Sequence, residues 1–290
     1  MQNRVAVLDV GSNSVRMMVA DVEGATRVVC RRTVTTRLME AVVDGNMTLE
    51  GMERTARAMR MLRDEAARLG AGQVFAFGTS AMRDAKNSGQ LSLLAGIPIE
   101  VMAGDMEARL AYMGAAPRGR CGILDIGGGS TEVIVGRDGA AERFVSVNAG
   151  AVRMNLKWGK MGRDELLSRV EEALRPQLAP FSGMGVEKWI GVGGTITTLA
   201  AMTRRVDKYS PGAIEGCPLT PGVAQAWYDA LMAMTVQERR TIHGLSANRA
   251  DIIHCGAAIF LAALRITGAP VVFASDHDNL EGFIAYRTRT

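Results

Sequence analysis

The chain has 290 residues, 48% of them apolar and 22% charged, enough for two ordinary domains around a sizeable core. A formal net charge of +4 is too mild to demand nucleic acid as a partner. Arg4, Asp9 and Arg16 do not fit a signal peptide, and the longest apolar run, Gly256 to Leu264, is too short to span a bilayer. Arginines make up 29 of the 34 basic residues; their planar fork suits phosphate and carboxylate, although genomic base composition produces the same bias. Cys30, Cys121, Cys217 and Cys255 are scattered, form neither a CxxC pair nor a zinc spacing, and read as reduced thiols of a cytoplasmic protein.

In chain order, residues 5–10 and 15–20 read as strands around a first turn, and Val28 to Thr36 as a third strand rich in β-branched residues. Met52, Ala56, Met59, Leu62 and Ala66 recur at helical spacing within Leu49 to Leu69, which Gly70 stops. A strand (Val74 to Phe77), a helix opened by Thr79-Ser80, a strand (Ile97 to Met102) and a helix (Asp105 to Met113, capped by Asp105) complete the first half. The glycines and proline of "GAAPRGRCG", 114–122, mark a junction, which divides the chain into 1–117 and 118–290. The second half restarts with strands at 122–126, 131–136 and 142–147. It continues with a helix at 163–179, the strand "KWIGV" running into "GGTITTLAAM", a helix from Ala247 to Ile266 and the strand "PVVFAS". Each half therefore reads β-β-β-α-β-α, an α/β fold with a mixed sheet and helices, duplicated.

The duplication is sharpest at the turns. "AVLDVGSNSVRMMVAD" and "CGILDIGGGSTEVIVG" superpose at an offset of 116 residues, which lays Asp9 on Asp125, Gly11 on Gly127 and Ser14 on Ser130. A turn of Gly11-Ser12-Asn13-Ser14, or of Gly127-Gly128-Gly129-Ser130-Thr131, exposes backbone N–H groups and hydroxyls that suit phosphate oxygens. A carboxylate repels phosphate but holds a divalent cation that bridges to it, so Asp9 and Asp125 make sense as the metal side of a cleft. A tight hairpin alone accounts for either turn taken singly. Gly193-Gly194-Thr195, between a strand and a helix, offers a third anion site at a helix N-terminus, or plain strand–helix packing under a threonine cap. Glu107 falls in a first helical turn, where the helix dipole favours the ionised carboxylate that a base needs, and where glutamate is also simply good helix chemistry. His243, His254 and His277 show no metal spacing and read as structural.

Together these motifs resemble the actin, sugar-kinase and heat-shock ATPase superfamily. The blocks "LDVGSNSVRMMVADV", "GTSAMRDAKN", "GDMEARL", "LDIGGGSTEVIVG", "GVGGTITTLAA" and "LSANRADIIHCGAAIF" are similar, in order, to those of the exopolyphosphatase and guanosine pentaphosphate phosphatase family. The resemblance implies two duplicated actin-like (ribonuclease H-like) domains with a cleft between them. It implies hydrolysis of the terminal phosphate of inorganic polyphosphate, or of the 5′ γ-phosphate of guanosine pentaphosphate, with Mg2+ or another divalent cation. Glu107 would be the general base, and Asp125 and Glu132, with Asp9, the metal side. Arg16 and Arg83 would face the phosphates held by the turns. Neither nucleic acid nor membrane is expected as a partner, and a homodimer is left open.

One stretch departs from the family. Where it reads Ser-Asp-x-Gly-Leu-Arg-Glu-Gly, this chain has "SDHDNLEG", so Asp278, Asn279 and Leu280 replace glycine, leucine and arginine. The resemblance makes that arginine a phosphate contact, so a weaker hold on long polyanions and, without an appended helical part to enclose polymer, distributive release are the expectation. Two other readings compete with hydrolysis. A kinase of the same superfold needs an adenosine pocket and an acceptor hydroxyl; a non-catalytic polyphosphate or nucleotide sensor binds without turnover.

Overall fold

The computed structural model describes residues 3–24, 26–115, 118–206 and 212–288. Its first sheet opens with β1 (Arg4–Val10), β2 (Ser14–Asp21) and β3 (Arg27–Thr35), an antiparallel meander. A 3-10 turn and the small hairpin of β4 (Val42–Val43) and β5 (Asn46–Met47) lead to helix α1 (Leu49–Arg68), which Thr48 caps by accepting from the Gly51 N–H. β6 (Gln73–Gly78) then pairs parallel with β1, and two short helices, α2 (Ser80–Asp84) and α3 (Ser88–Ala95), precede β7 (Glu100–Val101) and α4 (Gly104–Ala115). The sheet runs β3-β2-β1-β6-β7. β1 is an almost unbroken apolar run because, as a central strand, it is buried on both faces.

The second half repeats the plan. β8 (Arg120–Ile126), β9 (Thr131–Arg137) and β10 (Ala140–Val147) form the meander, followed by α5 (Ala151–Trp158) and α6 (Arg163–Leu178). β11 (Lys188–Val192) pairs parallel with β8 and enters α7 (Gly193–Arg204). After β12 (Pro218–Leu219) come α8 (Pro221–Ala233), α9 (Val236–Arg239), α10 (Ile253–Thr267), β13 (Val272–Ala274) and α11 (Asn279–Thr288). The order is β10-β9-β8-β11-β13-β12.

Each sheet is covered on both faces, but the covers are exchanged. On the first sheet α1 buries Met52, Met59 and Leu62 on one face, while the other receives Leu280, Phe283 and Ile284 of α11, from the far end of the chain. Phe283 stacks on Phe77 of β6 with ring centroids 4.8 Å apart. On the second sheet Ile123, Ile134 and Ile190 are covered by Ala108, Ala111 and Tyr112 of α4, a first-half helix. The opposite face carries the large core around α6, α8 and α10. α4 and α11 cross at glycines, since a Cβ on Gly114 would lie 1.8 Å from the Asp278 carbonyl oxygen and one on Gly282 1.9 Å from that of Leu110.

The two-sheet α/β reading holds, with local differences. The helix expected after Thr79-Ser80 is two helices, and the strand expected over 97–102 shrinks to Glu100–Val101, which alone reach Phe77 and Gly78 at the sheet edge. α4 begins at Gly104, so Asp105 sits in the first turn instead of capping it. The helix expected from Ala247 starts at Ile253 after a 3-10 turn. α5, α8, α9 and α11 are not anticipated by the sequence pattern. The expected junction at 117/118 abuts residues 116–117, which lie outside the described residues, and the division into 1–117 and 118–290 stays a proposal about chain units.

Candidate active site

Both glycine turns are shaped by the same backbone device. Gly11 N–H donates to the Ser14 carbonyl at 3.0 Å, and Gly127 N–H to that of Ser130 at 3.0 Å. The carbonyls of Ser12 and Asn13 accept from Met39, Thr36 and Arg37, and those of Gly127 and Gly128 from Ala151 and Val152. The N–H groups of Ser12, Asn13, Gly128 and Gly129 are left with no backbone acceptor among the described residues. The turns meet: a Cβ on Gly128 would sit 3.1 Å from the Ser12 Cβ, and one on Gly129 2.5 Å from the hydroxyls of Ser12 and Ser80. Glycine is required here by proximity, not by backbone dihedral. The two turns form the floor of a cleft of about 700 Å³ between the sheets.

Asp9 and Asp125 end β1 and β8 on this floor, and the duplication extends one pair further. Asp9 faces Arg16 across the β1–β2 ladder, whereas Asp125 faces Glu132 across β8–β9. Equivalent positions thus carry a cation in one half and a carboxylate in the other. Arg16 donates from Nε to Asp9 Oδ2 at 3.0 Å and from Nη1 to Asp278 Oδ2. Glu132 Oε1 accepts from the Ser146 hydroxyl at 2.6 Å. Glu107, on α4, is buried and held by Arg83, whose Nη1 lies 2.5 Å from Oε2 and 2.9 Å from the Met102 carbonyl.

Five buried carboxylates, Asp278 included, therefore share one region with Arg16 and Arg83. Burial raises the pKa of Asp9 and Glu107 above the ordinary range, Arg16 and Arg83 respectively opposing it. Asp125 is pushed up to about 8, by burial first and then by Asp278 and Glu107. Glu132 is raised well above the ordinary carboxylate range, by burial first and then by Glu107 and Asp125. Such a cluster lacks positive charge. Asp9 Oδ1 and the Ser12 hydroxyl, moreover, are buried without a hydrogen-bond partner. The donors are hard oxygens, which suit magnesium. No three of the described His, Cys, Asp and Glu side chains close on one point as a protein cage. Magnesium does not need one, since it keeps several waters and is held by one or two carboxylates with substrate phosphate.

The anticipated residues divide by position. Asp9, Gly11, Ser12, Asn13, Ser14, Arg16, Glu107, Asp125, Gly127, Gly128, Gly129, Ser130, Gly193 and Gly194 line the cleft. Arg83, Thr131, Glu132 and Thr195 lie behind that surface: Arg83 is engaged by Glu107, Thr131 donates to the Ala149 carbonyl, and Thr195 packs under Gly256. Gly193, at φ 83°, brings β11 against β8 so closely that a Cβ would stand 2.2 Å from Asp125 Oδ1.

Among the arginines that the sequence reading does not single out are Arg31 and Arg32, which line the cleft, and Arg153 and Arg249. Arg153 ties the second turn to the first half, donating to the Gly129 carbonyl at 2.7 Å, the Ser80 hydroxyl at 2.8 Å and Asp84. Arg249 lines the cleft over the N-terminus of α7, where a Cβ on Gly194 would lie 2.2 Å from its Nη1. No carboxylate pairs with it among the described residues, and burial, then the charge of Arg16, lowers its pKa to about 10. An unpaired guanidinium beside a helix N-terminus is a place for an anion. Arg249 belongs to the quoted block "LSANRADIIHCGAAIF", but only its approach to Gly194, 55 positions away in the chain, singles it out.

Comparison with known proteins shows the family and the fold. The family model described as the Ppx/GppA phosphatase family matches residues 17–285. Exopolyphosphatase 2 of Mycobacterium tuberculosis is 29% identical over 313 aligned residues, which cover 96% of this chain and 97% of that protein. The crystal structure of a Ppx/GppA family member from Aquifex aeolicus superposes with a TM-score of 0.82 at 30% identity, covering 98% of this chain and 97% of the other. An exopolyphosphatase from Cytophaga hutchinsonii, at 22% identity, shares the fold with a TM-score of 0.87 over 98% and 97% of the two chains.

Proposed function

This chain belongs to the Ppx/GppA phosphatase family, of the actin-like ATPase fold, and from that premise we propose that it releases terminal phosphate from inorganic polyphosphate. The observation that carries the reading is the meeting of the two glycine turns in the cleft that Glu107 also lines, with hydroxyls and N–H groups without a backbone acceptor on one floor.

The turns hold the terminal phosphate groups through N–H and hydroxyl donors, as oriented donors stabilise charge spread over the transferred group. Arg249 and the N-terminus of α7 take the adjoining phosphates. Glu107 orients a water and accepts its proton, and Arg83, bonded to Oε2, favours the ionised carboxylate against the burial that raises its pKa. Asp125 and Asp9 on the cleft floor, backed by Glu132 behind it, would hold a divalent cation, which would supply charge neutralisation to the phosphate chain. The exopolyphosphatase named among the relatives supports polyphosphate as the substrate. Guanosine pentaphosphate presents the same terminal anhydride.

The test is phosphate release with magnesium from short polyphosphate, long polyphosphate and guanosine pentaphosphate, side by side and with no acceptor present. Faster release from polyphosphate is expected. Release from none of the three would overturn the hydrolase reading, and transfer of phosphate to an added acceptor without release to water would make the protein a kinase.

A further inference from the structure

Arg16 and Arg31 both line the cleft, and the ladder register sets them on one face of the first sheet, since Arg16 pairs with Thr33 and Met18 with Arg31. That face is the one covered by α11, and each arginine meets a carboxylate from its start. Arg16 Nη1 donates to Asp278 Oδ2, and Arg31 pairs with Glu281. We propose that this first turn of α11 is a built-in competitor for the substrate's phosphates: Asp278 and Glu281 occupy two cleft arginines and set how tightly the site holds a polyanion. The inference rests on the cleft being the phosphate site proposed above.

The carboxylates are held where a mobile side chain would not stay. Asp278 Oδ1 accepts from the Leu280 N–H at 3.0 Å while Glu281 Oε2 accepts from the Asp278 N–H at 3.0 Å, the reciprocal arrangement of a capping box. Behind them the backbone has no room to retreat, since Asp278 is pressed against Gly114 of α4. One oxygen of Asp278 thus caps the helix and the other engages Arg16. Arg16 is shared with Asp9 as well, so the trio carries a net negative charge where a guanidinium alone would attract phosphate. A phosphate oxygen within reach of Arg16 Nη1 lies beside Asp278, and like charges at that range weaken binding. Arg249, which carries no such carboxylate among the described residues, is left as the open cation of the cleft.

The test is direct binding of tripolyphosphate with magnesium, by calorimetry, to the wild-type chain, Asp278→Asn and Glu281→Gln. Asparagine still caps a helix and glutamine still closes a capping box, so both variants keep the local structure and lose only charge. Binding about tenfold tighter is expected for Asp278→Asn, at ~1.4 kcal/mol per tenfold, and a smaller gain for Glu281→Gln. The gain from Asp278→Asn should vanish in an Arg16→Met background, which a merely structural role would not produce. Equal or weaker binding by Asp278→Asn overturns the proposal, weaker binding meaning that Asp278 positions Arg16 for substrate. Binding without phosphate release would instead overturn the hydrolase reading and leave the competition intact.

Discussion

Asparagine at position 125 should stabilise the metal-free protein while disabling it. Asp125 is 5% exposed, and its carboxyl is raised from 3.8 to about 8 by burial, then by Asp278 and Glu107. A group whose folded pKa is raised takes up a proton on folding. Its contribution is therefore fully present below the unfolded value and lost as pH rises through the folded one, here between about 4 and 8. At neutral pH, roughly three units above the ordinary value, taking up a proton at Asp125 on folding costs ~4 kcal/mol at ~1.4 kcal/mol per unit. The Asp125→Asn variant needs no such proton, and at ~2–4 °C per kcal/mol it should melt roughly 10 °C above wild type at pH 7 in chelator. At pH 5 about one unit of that difference survives, so the gap should narrow to roughly 3–4 °C. The assay is calorimetric melting of both proteins with chelator at pH 5, 6, 7 and 8, repeated with excess magnesium. Magnesium should raise the wild-type melting temperature more than that of the variant. Curves that run parallel across this pH range, or a variant that melts below wild type at pH 7, would refute the placement of Asp125 among uncompensated carboxylates.

Other expected outcomes follow from single contacts. Glu107→Gln keeps size and hydrogen bonding but cannot accept a proton, so turnover measured by phosphate release should fall at least ~10²-fold, while calorimetric binding of tripolyphosphate persists. Arg249→Ala should raise KM for polyphosphate about tenfold or more, with a smaller effect on kcat, as for loss of one charge-assisted phosphate contact; steady-state kinetics separate the two. Gly193→Ala puts a Cβ 2.2 Å from Asp125 Oδ1 at φ 83°, so the magnesium concentration needed for half-maximal activity should rise even where circular dichroism shows a folded protein. With Leu280 in place of an arginine, digestion of long chains should be distributive, read on gels as a ladder moving down gradually; long chains vanishing without intermediates would contradict this.

What the sequence made legible was short in range. The Asp-x-Gly-x-x-Ser turns, the helical stripe of Met52, Ala56, Met59, Leu62 and Ala66, and the offset between the halves each lie within a window that local chemistry controls. The pairings that complete the site span long separations. Arg83 and Glu107 are 24 positions apart, Arg16 and Asp278 262. No local pattern shows that an arginine expected to face phosphate is engaged by a carboxylate, or that Arg249 comes to rest over Gly194. The late start of α10 has the same origin: Asp251 is drawn to Arg37 of the first half, at 2.5 Å, across the turn where a continuous helix was expected. Asp278 stood out as a departure in "SDHDNLEG", but a departure names a position and not its partner.

The exchange of α4 and α11 bears on whether the halves can be parted. A fragment ending at residue 115 would carry a first sheet with Val5, Val7, Met18, Ala20 and Phe77 stripped of the cover that Leu280, Phe283 and Ile284 supply. The complementary fragment would lose the helix that shields Ile123, Ile134 and Ile190. Each piece would hold the missing lid of the other, the condition under which separately made fragments seek each other out and reconstitute one molecule. Neither half is then a module to be transplanted alone, and a chain cut between 115 and 118 is a natural frame for a split reporter of polyanion binding.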